Sequence, residues 1–256
     1  MQTKPTILLV IEGTYPWYRG GVSEWVHQYI KAFDHVQFSI LQIATDEYRN
    51  NSLETAVYEL PDHIASFTRI PPPEMNSSWE IASEAWFSSQ HHHIKAPSEQ
   101  ADVIHVANTG FAGWLGMKLA SKYGQSLVLT EHALYWQEVK MGAVALECGY
   151  KIPQHEQGKT DISDLFKNIA RQVYQASDQI ISVSECNISK QKEMGAESVK
   201  YIPNGVDKTW IKQDKLLNER LVVGWIGRCA EMKNPLKFFD SGRGAGPIRK
   251  LSDDAV

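Results

Sequence analysis

The chain of 256 residues has few cysteines, no long apolar run and no excess of positive charge, and each shortage excludes something. Its 3 cysteines, Cys148, Cys186 and Cys229, lie far apart with no C-x-x-C pair. Neither a zinc cage nor a disulfide framework is expected, and a reducing cytoplasm fits best. The longest N-terminal apolar run, Ile7 to Ile11, stops at Glu12. It is too short for a secretory signal or an integral membrane segment and reads as a buried strand. With 26 Lys and Arg against 30 Asp and Glu the net charge is −4, so the bulk positive field that gathers nucleic acid or anionic lipid is missing. Any anion site must be local. No Gly-x-Gly-x-x-Gly follows the first strand, and no phosphate loop ending in Gly-Lys-Ser/Thr occurs. A nicotinamide-dependent oxidoreductase and an ordinary nucleoside triphosphatase lose support accordingly.

What is present reads as a folded α/β protein. A composition of 43% hydrophobic and 22% charged residues is that of a globular chain, not a disordered one. Short apolar runs alternate with helix-period segments, the pattern of a Rossmann-like, doubly wound parallel sheet with helices on both faces. Thr6 to Ile11 is the first strand; Val22, Trp25, Val26, Tyr29, Ile30 and Phe33 then mark one stripe of an amphipathic helix. Val36 to Ala44 is the second strand. An irregular insertion is expected over about 45–100, with Pro71-Pro72-Pro73 inside it and His91-His92-His93, a solvated run or, less favoured, a metal site. Alternation resumes with Val103 to Val106, a helix carrying Phe111, Trp114, Leu115 and Leu119, and the strand Ser126 to Thr130. A helix capped at Asp161 follows, then strands Gln179 to Val183 and Val199 to Ile202 around a helix at Glu185 to Glu193. The first domain is expected to span 1–207, a linker 208–220, the start of a second domain 221–240, and an irregular tail 241–256.

Three loops at strand ends carry candidate chemistry. Arg19-Gly20-Gly21-Val22-Ser23 opens the first helix, where glycines permit close backbone approach and free N–H groups meet the helix dipole. That suits a phosphate or a sugar ring, although a tight turn after a strand explains the glycines equally. Thr130-Glu131-His132 ends a strand at the edge where open α/β sheets place ligands. His132 could donate to a leaving oxygen or a sugar hydroxyl, with Glu131 orienting or charging it; a buried, satisfied histidine is the competing reading. His105, inside a strand, reads as packing or as a support behind a residue that contacts ligand. Gly227-Arg228, with Lys233 five residues on, can bracket a diphosphate or form a solvated surface pair. Trp25 and Trp114, on helical stripes, read as core.

Glu12 to His27, Ala107 to Gly116, Leu127 to His132, Ile202-Pro-Asn-Gly-Val-Asp207 and Gly227 to Lys233 together resemble family 4 glycosyltransferases of GT-B fold, most of all the PelF type associated with exopolysaccharide synthesis. The resemblance covers roughly residues 5 to 240. It implies retaining transfer of a hexose from a nucleotide sugar, UDP-glucose foremost, to a saccharide acceptor in polysaccharide biosynthesis, in the cytoplasm and with a membrane-associated synthesis complex as a possible partner. By the same resemblance Gly20 and Gly21 face the donor phosphates, His132 contacts the transferred sugar, Arg228 and Lys233 hold the diphosphate, and Asn204 and Gly205 lie at the interdomain crossing. No cofactor beyond the donor is implied. No Asp-x-Asp occurs in the chain, consistent with a metal-independent enzyme that stabilises the leaving group with cations. Such enzymes carry two glutamates seven residues apart in the second domain. This sequence ends before that motif, so the expectation is a truncated chain, incomplete for catalysis. The alternative is a non-catalytic saccharide-binding or assembly module that keeps Trp17, Trp25, Trp114 and Trp136.

Overall fold

The computed structural model describes residues 4–13, 15–44, 50–73, 79–141, 156–206, 225 and 234–242. The chain divides into two compact units, Met1–Gly205 and Val206–Val256. The first holds a seven-stranded sheet in the order β3-β2-β1-β4-β5-β6-β7, every neighbour parallel. Its strands are β1 Thr6–Glu12, β2 Gln37–Ile43, β3 Ile64–Ile70, β4 Val103–Val106, β5 Ser126–Glu131, β6 Gln179–Ser182 and β7 Val199–Tyr201. Its helices are α1 Gly21–Ala32, α2 Trp79–Glu99, α3 Phe111–Tyr123, α4 Tyr135–Lys140, α5 Glu156–Ala176 and α6 Ile188–Glu193. In the second unit the described residues include one helix, α7 Pro235–Gly242. This is a Rossmann-like doubly wound α/β fold.

The central strand explains the layering. β1 is almost wholly apolar because both its faces are covered, as parallel sheets with crossover helices require. Successive side chains alternate: Leu8 and Val10 join Ile104, Val106, Leu127 and Leu129 under Leu115 and Val173, while Leu9 and Ile11 join Phe38 and Ile40 under Val26 and Ile30 of α1. All fourteen are buried. Each such side chain contributes about 1.5–3 kcal/mol relative to exposure. The strand order reverses between β1 and β4, and the chain leaves their carboxyl ends toward opposite faces. That is the topological switch point at which open α/β sheets hold ligands.

Two sequence expectations are corrected here. The described residues of the stretch 45–100 are not an irregular insertion: β3 pairs parallel with β2 at the sheet edge, and α2 is the crossover to β4. As an edge strand β3 is only half-buried and lacks clean alternation. In α2 the apolar stripe is thin, although Trp86 and Ile94 are buried, and Pro97 sits in its last turns. The helix expected to start at a cap on Asp161 begins at Glu156, so Asp161 lies inside α5. Expectations placed on 207–224, 226–233 and 243–256 lie outside the described residues.

Candidate functional site

The segment joining β1 to α1 is anchored before it reaches its glycines. Trp17 is buried, donates from Nε1 to the Ser52 carbonyl at 2.9 Å, and carries the Arg69 guanidinium 4.9 Å above its ring. The amides of Val57 and Tyr58 donate to the Pro16 carbonyl at 3.0 and 3.2 Å. Helix α1 then begins at Gly21 with Gly20 as its extended N-cap, which has no side chain to satisfy the first-turn N–H groups. Gly20 has φ −153° and ψ 166°, a conformation open to any residue. A Cβ built on Gly21 meets nothing within 4 Å, and one on Gly20 meets only the Tyr18 ring at 3.7 Å. The turn itself therefore requires neither glycine. What their absent side chains leave is open space at the positive end of a helix dipole.

His132 follows β5 and stands on the α1 face of the sheet. Its ring meets Trp25 edge-on, 4.5 Å between centroids at 68°. Trp25 in turn stacks on Tyr29 at 5.2 Å and 9° and meets His105 edge-on at 5.8 Å. Behind them His105 is buried between the Tyr29 hydroxyl, 3.0 Å from Nδ1, and the Thr130 hydroxyl, 2.8 Å from Nε2. His105 is thus a satisfied core histidine. His132 differs, because its Nε2 is buried and has no hydrogen-bond partner among the described residues. Burial pulls the His132 pKa down to about 4, and burial plus the neighbouring His132 pulls His105 to about 3. Both rings are neutral at pH 7. His132 can therefore give or take a neutral hydrogen bond to a hydroxyl, but it is not a ready imidazolium acid for a leaving oxygen.

Glu131 does not serve His132, and strand geometry is the reason. Adjacent residues of a strand point to opposite faces, so the Glu131 carboxylate turns away, toward α3, α5 and α6. There it is buried and accepts from Thr109 Oγ1, Tyr174 Oη and Gln191 Nε2, each at 2.6 Å. Desolvation raises its pKa, and the three bonds oppose that rise only in part. Glu131 is a structural hub, in place of the orienting or charging role expected for it. Glu12, at the end of β1, is a second carboxylate on that side. Its Oε1 accepts from the Ala112 amide at 2.6 Å in the first turn of α3, and its Oε2 from the Tyr135 hydroxyl at 2.8 Å. The positive end of α3 is thereby already occupied by the chain's own anion.

Of the other expected residues, Asn204 and Gly205 are exposed just beyond β7, while Arg228 and Lys233 lie outside the described residues. His91, His92 and His93 fall in α2, and among the described residues no three His, Cys, Asp or Glu side chains converge on a metal position. Among the described residues no helix is long and apolar enough to cross a membrane. The structure sets His132 against Trp25, which lies one turn beyond Gly21 on α1, so the histidine and the glycine end of that helix share one face of the sheet. Trp25, expected as core from its helical stripe, is half-buried and packs against the core cluster that includes Val26 and Ile30. Its spacing of four to Tyr29, facing polar positions of β4 and β5, was the signal available for the wall behind His132.

Several solved structures resemble the chain. A sucrose-phosphate synthase from Thermosynechococcus elongatus matches at 14% identity and a TM-score of 0.46, covering 79% of this chain and 90% of that one. A UDP-glucosyltransferase from Polygonum tinctorium, described as capable of glucosylating indoxyl, matches at 11% identity and a TM-score of 0.48 over 86% of this chain. A Phytolacca americana UGT2 complexed with UDP-2-fluoro-glucose and pterostilbene matches at 11% identity and a TM-score of 0.48 over 81% of this chain. This chain spans 56% of the length of each of the latter two. At such identities and scores the likenesses assign no chemistry. No curated protein matches. A family model does match, over residues 5–95 and 82–199, described as a domain of unknown function, and the chain belongs to that family, DUF3492.

Proposed function

We propose that this chain is the N-terminal, acceptor-side part of a retaining glycosyltransferase of GT-B type that moves a hexose from a nucleotide sugar, UDP-glucose foremost, to a saccharide acceptor in polysaccharide biosynthesis. The observation that carries the reading is the pairing at the switch point. An uncapped helix end whose glycines the turn does not need shares a sheet face with a neutral histidine whose Nε2 has no partner among the described residues. The first suits a diphosphate, since N–H groups at a helix start favour anions. The second suits a sugar hydroxyl, which both donates and accepts and does not require a charged partner. Gly20 and Gly21 would admit the donor phosphates, and His132 would orient the transferred ring. Arg228 and Lys233, read from sequence, would offset the negative charge that grows on the departing diphosphate. Asn204 and Gly205 would mark the passage toward the second unit. Glu131 and Glu12 hold this framework without touching ligand. The donor is the only small molecule the scheme needs, and the setting is a cytoplasmic one.

Calorimetric titration with UDP and UDP-glucose, with ADP-glucose and NAD as controls, tests the reading. Micromolar, UDP-selective binding would support it, and Arg228→Ala and Lys233→Ala should each abolish whatever diphosphate affinity exists at little cost in folding. Unchanged UDP affinity in both variants would remove their assignment. A folded protein that binds oligosaccharide but no nucleotide sugar would make this a saccharide-binding module instead.

A further inference from the structure

We infer that Trp25 is a positioning residue: by packing edge-on against His132 while stacked on Tyr29, it fixes the imidazole that would meet the transferred sugar and couples that ring to the glycine end of α1. The inference rests on the donor-site reading above and deepens it. A histidine just past a strand end is free to rotate about two side-chain bonds, yet this one is held at 4.5 Å from an indole that is itself immobilised. Trp25 is fixed from behind by the near-parallel Tyr29 ring, and Tyr29 by its hydroxyl on His105, which is buried and closed on its other side by Thr130. That chain of contacts runs from β4 and β5 to the second turn of α1. Here the indole covers part of His132 and keeps water from it, while the buried Nε2 stays unpaired among the described residues.

Among the described residues the titratable groups around His132 are few. His105 faces it from β4, Tyr29 from α1 is engaged with His105, and Glu131 lies on the opposite face of β5. Burial away from water holds the ring neutral, and the Trp25 indole packed against it supplies part of that burial. Removing that indole should let the ring both rotate and hydrate.

Long-range 1H–15N correlation NMR of the imidazole nitrogens, with His132 assigned through His132→Asn, gives a readout that mere packing would not move. In the intact chain His132 should show no titration above about pH 5, from its lowered pKa of about 4. In Trp25→Leu it should titrate at least one pH unit higher, and Trp25→Phe should restore most of the original behaviour. Val26 and Ile30 still anchor α1 in both variants, and retained thermal midpoints would check this. An unchanged His132 titration in folded Trp25→Leu would overturn the inference. A paired calorimetric measurement separates it from the donor reading. If the intact chain binds UDP-glucose more tightly than UDP, Trp25→Leu should erase at least tenfold of that difference and leave UDP affinity unchanged. Loss of UDP affinity alone would overturn the positioning role. Failure of the intact chain to bind either nucleotide would overturn the donor reading, and the titration would still decide whether Trp25 governs His132.

Discussion

The two crossovers that leave the switch point are built from similar sequence and are opposite in kind. Both follow a strand, both contain glycines, and both open a helix of 12 or 13 residues, α1 and α3. In the β4–α3 crossover the glycines are demanded by packing. A Cβ on Gly110 would enter the Tyr135 ring, one on Gly113 would lie 2.5 Å from the Asn108 carbonyl oxygen, and one on Gly116 would strike Val106. The end of that helix is filled by Glu12. In the β1–α1 crossover nothing crowds Gly21, and Gly20 caps with no side chain. A glycine required by its neighbours speaks of the fold; a glycine with empty space before it speaks of something that arrives.

The largest effect that would break this contrast is on stability. Gly113→Ala and Gly116→Ala should each cost about 2 kcal/mol, the middle of the range for overpacking a close-packed core. In a unit of this size that lowers the thermal midpoint by roughly 4 to 8 °C. Thermal unfolding followed by circular dichroism measures it directly. A loss below one degree for both would mean that the α3 crossover is as loose as the α1 crossover.

The next effect is on binding. Gly21→Ala should leave the midpoint unchanged or slightly raised, since alanine is the better helix former and finds room there. Nucleotide-sugar affinity should fall at least tenfold, about 1.4 kcal/mol. A variant that binds as the intact chain does would show that the open space is incidental.

How much of this was legible in the sequence follows from the same contrast. The central strands, the α1 stripe and the glycine pair were plain, because apolar runs and a helical period are local signals. Edge strand β3 and helix α2 were not, since the first is half-buried and the second interrupts its stripe with three histidines and Pro97. The expected pairing of Glu131 with His132 fails for a different reason. Neighbours in sequence at a strand end look like partners, whereas the pleat sends them to separate faces, one among Thr109, Tyr174 and Gln191 and the other against Trp25. Those partners come from 22 to 107 residues away, and no spacing rule reaches that far.

The smallest effect sharpens the comparison between the two faces, because their buried groups respond to pH with opposite sign. Glu131 has a raised pKa, so it adds stability that is full below the ordinary carboxylate value of 4.5 and is lost as pH rises through its folded value. His132, lowered from 6.5 to about 4, adds stability that is full above 6.5 and is lost as pH falls through that window; His105, lowered to about 3, acts in the same direction. Each group can contribute a slope of at most about 1.4 kcal/mol per pH unit. Midpoints recorded between pH 4.5 and 6.5 should therefore fall on acidification more steeply in Glu131→Gln than in the intact chain. With the new amide nitrogen toward Thr109, whose hydroxyl can turn to accept, and the amide oxygen still accepting from Tyr174 and Gln191, the three-way contact survives. His132→Asn should fall less steeply than the intact chain. Parallel curves for all three proteins would mean that neither face holds its group in the protonation state its burial dictates, and the division of labour between them would fail.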